Sequence, residues 1–326
     1  MPLPLDTDLK IGLQTIHRQP DDQTGQWLPQ IDELVRFVEA VDQAGFDSLW
    51  VGDHLSMPLP FFDPLLLLAQ AAVVSRRMTF GTGVYLLPLR HPGPVAKQAA
   101  TLDHLTEGRF IFGLGIGGEF PKEYEVAGVP INERGARLGE GMQAMRALWS
   151  GEPGTFKGKH YQFEDVLMTP PPRQAGGPPL WIGGRSPAAL RRAGRLADGY
   201  LSYVVTPQMY AEALATITEA ADAAGRQVNH FGTGHLLFAR VDDSYEKALD
   251  VATESLSKRY AMDFRRAAQR YAGLGNPQQV ADAIMAFHAA GVRHISVDLV
   301  GPYERRMEQV ERFAAEVMPL VRKAVT

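Results

Sequence analysis

The chain has 326 residues, 45% hydrophobic and 21% charged, with a net charge of −4 and both signs mixed along its length. That is the composition of an ordinary folded protein with room for one large domain or two average ones; no basic block points to nucleic acid, and the longest apolar run, near PLLLLAQAAVV, is too short to span a bilayer. There is no cysteine, which excludes disulfides, thiolate metal sites and cysteine nucleophiles.

The N-terminus MPLPLDTDLK lacks the charged start and apolar core of a signal peptide, so a cytoplasmic protein is the default expectation. KIGLQT (10–15) reads as a strand. Behind it Ile31, Leu34, Val35, Val38 and Val41 recur at helical spacing, and Gly45 stands where a helix would end. DSLWVGDH (47–54) is a second strand, and a helix starts after it at Pro64. MTFGTGVYLL (78–87) and PVAKQAATLDHLT (94–106) form the third strand and helix, and RFIFGLG (109–115) the fourth strand. The fourth helix comes late, near 134–149, where Leu138, Met142, Met145 and Trp149 share a face. The alternation then resumes with strands at 178–184, 198–204, 235–241 and 294–300, helices at 186–197 and 207–225, further helices across 244–272 and 277–290, and a closing helix over about 304–324.

Eight strands, each followed by a helix, predict a (β/α)8 TIM barrel spanning 1–326 as a single domain. A doubly wound open sheet is the alternative. Insertions are expected after strand four (116–133), before strand five (150–177) and between strands seven and eight; the second contains PPPRQAGGPP, too rich in Pro and Gly for a helix or central strand.

The run FIFGLGIGG contains Gly113, Gly115 and Gly118 at the spacing of a dinucleotide-binding loop. That motif needs a helix to start at once, so that its amides meet the pyrophosphate. Here EFPKEYEVAGVP follows, with no helix signal until about Asn132. The better reading is the C-terminal end of barrel strand four, where glycine lets a flat ligand approach the backbone. Relief of crowding inside the barrel is the plain alternative.

In a barrel enzyme the active site lies at the C-terminal strand ends. Those ends carry Gln14; Asp53 and His54; Gly83, Val84 and Tyr85; Gly115 and Gly117 with Glu119 beyond; Gly183, Gly184, Arg185 and Ser186; Tyr203; and Asp298. His54 can carry a proton near neutral pH, although an Asp-His pair also serves to cap a loop. Gly183 to Ser186 precede a helix and suit a phosphate, or form a turn with an N-cap serine. No metal site is expected, since the nine histidines show no ligand spacing. Few acid or base groups and a phosphate grip point to a cofactor that supplies the chemistry.

The stretches SLWVGDHL, TFGTGVYLLPLRHPGPVAKQAATLDHLTEGRFIFGLGIGGEFPKEYEVAGVP, ALWSGEPGTFKGKHYQF, PPLWIGGRSPAALRRAGRLADGYL and NPQQVADAIMAFHAAGV resemble, in order and over nearly the whole chain, the bacterial luciferase-like superfamily. The resemblance implies a barrel with the cofactor at its C-terminal face. It implies ring contacts at Asp53 and His54, with His54 beside the reactive part of the cofactor. It further implies a non-proline cis peptide at Gly83–Val84, a strand-four edge of the pocket at Gly115, Gly117 and Glu119, and a phosphate at Gly183 and Gly184. The endings GDHL and LPLRHP resemble members that use the deazaflavin coenzyme F-420 and move hydride to or from a small organic substrate. Members that use FMN with oxygen, fed by a separate reductase, are the alternative, and a non-catalytic flavin-binding relative is a third. The resemblance also implies a homodimer formed through the second and third helices.

Overall fold

The computed structural model describes residues 3–15, 31–57 and 61–325. Four parallel strands, β1 (Lys10–Thr15), β2 (Ser48–Val51), β3 (Thr79–Thr82) and β4 (Phe110–Leu114), lie side by side. β5 (Gly154–Lys157) and β6 (Gln162–Val166) form an antiparallel hairpin apart from them. The series resumes with β7 (Leu180–Gly183), β8 (Gly199–Tyr203) and β9 (Gly232–Val241), the last flanked by the short β10 (Gly273–Gly275). β11 (His294–Leu299) pairs with β9 on one side and with β1 on the other, from Lys10↔His294 to Leu13↔Val297, and so closes the ring. The expected (β/α)8 barrel is the observed fold.

The helices that wrap it are α1 (Ile31–Gln43), α2 (Pro64–Val74), α3 (Pro92–Leu105), α4 (Lys122–Val126), α5 (Arg134–Leu148) and α6 (Pro187–Leu196). They continue with α7 (Pro207–Ala223), α8 (Tyr245–Tyr260), α9 (Arg265–Tyr271), α10 (Pro277–Ala289), α11 (Arg306–Arg312) and α12 (Met318–Val325). Several start on a polar cap followed by proline. Asp63 accepts from the amides of Leu65 and Leu66, Ser186 from Ala189, Thr206 from Met209, and Asn276 forms a capping box with Gln279. Proline at the first helical position loses no hydrogen bond, because that N–H has no partner in the helix. These short caps end each crossover close to the strand before it and hold the strand ends at one face.

Outward-facing strand residues such as Ile11, Leu13, Leu49, Val51, Phe80, Ile182 and Val297 join one buried core with the helices. The barrel interior is built differently. Its N-terminal half is filled by Trp50 and Trp181, whose ring centroids are 5.6 Å apart, with His294 edge-on to both. Gly12 and Gly81 leave room for Trp50, and Gly199 and Gly232 for Trp181; a Cβ at Gly232 would lie 2.1 Å from the Trp181 ring. The Trp50 indole N–H donates to Ser48 Oγ at 2.8 Å, and Ser48 lies 2.6 Å from His294 Nε2. The floor of the C-terminal half is therefore closed.

Three local features differ from the sequence reading. The segment 150–177 contains the β5–β6 hairpin. The loop after β4 contains the single-turn helix α4, with Pro121 at its N-cap. The last helix is not continuous, since a π-helical turn, Phe313–Val317, separates α11 from α12.

Candidate active site

At the C-terminal face a cavity of about 230 Å³ opens above the tryptophans. Every strand-end residue singled out above lines it except Tyr85, Arg185 and Ser186. β2 runs out through Gly52 into Asp53 and His54. Asp53 is buried and holds Arg90 in a bidentate pair, Nη1 to Oδ2 at 2.5 Å and Nη2 to Oδ1 at 2.9 Å. Its Oδ2 also accepts from the Leu86 amide at 2.8 Å. Arg90 lies over the Tyr85 ring at 4.4 Å and reaches the α2 cap Asp63 at 3.8 Å. Burial raises the Asp53 carboxyl above its ordinary value, and the Arg90 charge and the two hydrogen bonds pull against that rise. Asp53 thus anchors the β3–α3 segment, which is the loop-capping alternative for this residue.

His54 faces a partner that the sequence did not suggest. Its Nδ1 lies 3.2 Å from Glu123 Oε1, on α4. Glu123 is fully buried and also accepts from the amides of Leu55, at 2.7 Å, and Ser56, at 3.2 Å. Burial alone would raise its carboxyl, but the hydrogen bond and charge of His54 and the two amides outweigh it and hold Glu123 below the ordinary value. The His54 ring is packed edge-on against Phe61 and Phe120, with centroids 4.9 and 5.4 Å away.

β3 ends where the Gly83–Val84 peptide bond is cis, as the resemblance implies. Pairing then resumes for one residue, Tyr85 opposite Leu114. The Val84 side chain is pushed between β4 and β7. A Cβ at Gly115 would lie 2.4 Å from one Val84 methyl, and a Cβ at Gly183 2.7 Å from the other. These two glycines are therefore explained by packing as well as by a ligand. Gly113 has a similar reason, since its Cβ would lie 2.0 Å from the Thr82 carbonyl oxygen. No helix starts at Gly118, so the G-x-G-x-x-G spacing is not a dinucleotide loop.

Gln14 sits in the cavity floor, donating weakly to the Gly83 carbonyl at 3.4 Å, while its Oε1 is buried without a partner. Glu119 accepts from the Tyr203 hydroxyl at 2.8 Å. Burial and the Glu119 charge push the Tyr203 phenol up, so it stays protonated and serves as the donor. Gly184, with φ +130°, and Gly183 meet the N-terminus of α6, where Ser186 is the cap. The Arg185 guanidinium turns away from the cavity to the Val204 carbonyl, at 3.1 Å, and lies over the Tyr203 ring. The remaining wall comes from β9, α8 and β11: Phe238, Tyr260, and Arg259 paired with Asp298.

Four of these residues escaped the sequence reading. Glu123 lies in a stretch with no clear helix signal, although Pro-Lys-Glu-Tyr-Glu-Val is a fair start for a helical turn. Arg90 was visible in LPLRHP but had no partner in view. Arg259 and Tyr260 end a long helix and reach the cavity only because α8 follows β9.

The pattern that defines the luciferase-like monooxygenases matches residues 10–294. The chain belongs to that family. A 4-hydroxyprotoasukamycin monooxygenase of Streptomyces nodosus subsp. asukaensis is 35% identical over 225 residues, 66% of this chain and 60% of its own length. An F420-dependent glucose-6-phosphate dehydrogenase of Nakamurella multipartita is 27% identical over 328 residues, covering 90% of this chain and 93% of that one. Among solved structures, monooxygenase RslO1 from Streptomyces bottropensis superposes with a TM-score of 0.81 at 26% identity, covering 96% of this chain and 99% of that one. By name these luciferase-like relatives are oxidoreductases of two kinds.

Proposed function

We propose that the protein is an oxidoreductase that moves hydride between the deazaflavin coenzyme F-420 and a small organic substrate. The observation that carries this reading is the His54–Glu123 pair in the cavity wall. Interconverting an alcohol and a carbonyl moves one proton with each hydride, and a positioned histidine is the usual group to exchange it. Glu123 orients the imidazole through Nδ1, which leaves Nε2 for the substrate. Glu119, which accepts from the Tyr203 hydroxyl, is the second wall group in the proposed site.

The residues present fit the cofactor. The partnerless Gln14 Oε1 suits an N–H at the edge of a flavin-type ring, and Gly115 and Gly117 line the same cavity. Gln14, Gly83, Val84, Gly115 and Gly117 would hold the ring. Gly183 and Gly184, at the positive end of α6, would hold its phosphate. When bound, the deazaflavin supplies the carbon that gives or takes hydride and has no stable reaction with oxygen. Asp53 and Arg90 fix the wall without exchanging protons.

An FMN-dependent monooxygenase served by a separate reductase is the second reading. It is favoured by the 35% identical relative, named as a monooxygenase. Titrations with F-420 and FMN, then turnover with and without oxygen, separate the two. We expect F-420 binding and oxygen-independent turnover. His54→Ala should lower turnover roughly 10²–10⁴-fold and leave cofactor affinity within a few fold. Oxygenation of a substrate that requires reduced FMN and oxygen, or binding of neither cofactor, would overturn the proposal. A homodimer is also proposed. On α2, Leu66 and Val73 are 73% and 63% exposed, a face that a second copy would cover. Sedimentation as a monomer at micromolar concentration would contradict it.

A further inference from the structure

The cavity wall opposite the glycines bears on the substrate. Arg259, in the last turn of α8, and Asp298, in β11, are only 8% and 4% exposed. They pair in bidentate fashion, Nη1 to Oδ2 at 2.5 Å and Nη2 to Oδ1 at 3.2 Å. The guanidinium lies 5.4 Å from the Phe238 ring centroid and 5.9 Å from that of Tyr260. The pair brings no net charge to the wall. One donor is left over, because Arg259 Nε is buried with no hydrogen-bond partner.

A buried N–H without an acceptor costs about 1–3 kcal/mol; Nε has no surface open to the cavity, so the guanidinium must shift to present it, and a ligand oxygen that it then meets is favoured. The charge of that ligand is constrained too. Among the described residues lining the cavity, the only cations are Arg259 and, when protonated, His54, and each is already bound to a carboxylate. Glu119 adds a negative charge with only a phenol for a partner. An anion placed here would lose its water and meet carboxylates in return. A neutral oxygen would satisfy Nε and disturb no pair. The nearby wall residues Leu201, Leu236 and Phe238 suit an apolar body.

We infer that Arg259 determines substrate specificity. Its Nε–H receives the carbonyl or hydroxyl oxygen of a neutral, largely apolar substrate, and Asp298 keeps anions out by neutralising the guanidinium. The inference rests on the proposed function only in taking this cavity as the substrate site, and it sets the chain apart from the relative whose name specifies a sugar phosphate.

The test uses four probes that share one bicyclic body: 2-acetylnaphthalene, 2-ethylnaphthalene, 2-naphthoate and 2-naphthyl phosphate. Their fluorescence reports binding to protein saturated with F-420 or FMN, whichever it takes up. The ketone should bind about tenfold more tightly than either anion and about fivefold more tightly than the ethyl compound. Arg259→Met should bring the ketone down to the ethyl compound. Asp298→Asn should raise naphthoate affinity about tenfold and leave the ketone within a few fold. Should Arg259→Met fail to fold because it leaves the Asp298 carboxylate unpaired, the double variant Arg259→Met/Asp298→Leu replaces the pair with apolar chains and should likewise erase the ketone's advantage. Naphthoate or the phosphate binding the unmodified protein as well as the ketone would overturn the inference, and so would unchanged selectivity in Arg259→Met. If neither cofactor binds, the functional proposal falls, and the same four probes on the cofactor-free protein still decide the role of Arg259.

Discussion

The two halves of the barrel interior use the same device to opposite ends. In the N-terminal half, glycines on neighbouring strands make room for Trp50 and Trp181, and the space is filled. In the C-terminal half, Gly115 and Gly183 make room for Val84, yet a cavity of about 230 Å³ remains beside it. A glycine in a strand is therefore no sign of a ligand by itself. Polar atoms are the better guide to a ligand. Ser48, Trp50 and His294 bond to one another below, while Gln14 Oε1 and Arg259 Nε are left unpaired above.

The largest effect is expected where the upper half is held together. Arg90→Ala would leave the buried Asp53 carboxylate without its partner, and breaking such a pair costs about 3–5 kcal/mol. Urea unfolding should show that loss. A cost below about 1 kcal/mol would mean that Asp53 is not the anchor of the β3–α3 segment.

In the lower half, Gly232→Ala tests whether the plug is as tight as its geometry. The new Cβ would lie 2.1 Å from the Trp181 ring, and overpacking of this kind costs roughly 1–3 kcal/mol. A stable Gly232→Ala protein with unchanged tryptophan fluorescence would show that the lower half has slack.

Acid should act first on two buried histidines, His294 in the lower half and His235 on the outer side of β9, stacked on Phe287 of α10. Burial lowers His294 to about 4, and His235, buried between β9 and α10, to about 3, from an ordinary 6.5. Both are bases whose folded value is depressed, so the unfolded chain takes up protons that the folded one refuses. Stability is complete above pH 6.5 and falls as the pH drops towards 4, by up to about 1.4 kcal/mol per pH unit for each histidine. Glu123 in the upper half is an acid held below its ordinary 4.5, so its contribution is lost only below that pH. Urea unfolding at pH 7, 6 and 5 reads the histidines above the range where Glu123 contributes, and a flat profile over that range would contradict their burial as neutral rings.

The barrel was legible because strands and capped helices alternate with short connections, and the caps Ser186 and Asn276 are each followed by proline. The β5–β6 hairpin was hidden by the prolines and glycines around it. His54 could be picked out because it ends a strand at the face where barrel sites lie. Glu123 and Arg259 could not, since each reaches the cavity by a path that depends on how a helix packs, and neither has a partner close in sequence. The mixed meaning of Gly115 and Gly183 was equally out of reach, because Val84, two residues past β3, lies far from both in the chain.

The smallest effect separates the two meanings of Gly183. If the residue is glycine to admit Val84, then Gly183→Ala presses a Cβ to 2.7 Å from a Val84 methyl. That methyl ends a short side chain and can yield a little, so a cost of about 1 kcal/mol is expected. Val84→Ala removes the obstacle, and the double variant should recover most of that cost, as coupled neighbours do. If Gly183 also holds a phosphate, Gly183→Ala should weaken FMN or F-420 more than riboflavin or the deazaflavin lacking its phosphate, and Val84→Ala should not restore the difference. Recovered stability with equal affinity for both forms would leave Gly183 as a packing residue and move the phosphate elsewhere. Recovered stability with a lasting loss confined to the phosphorylated forms would show that one glycine serves both the bulge and the cofactor.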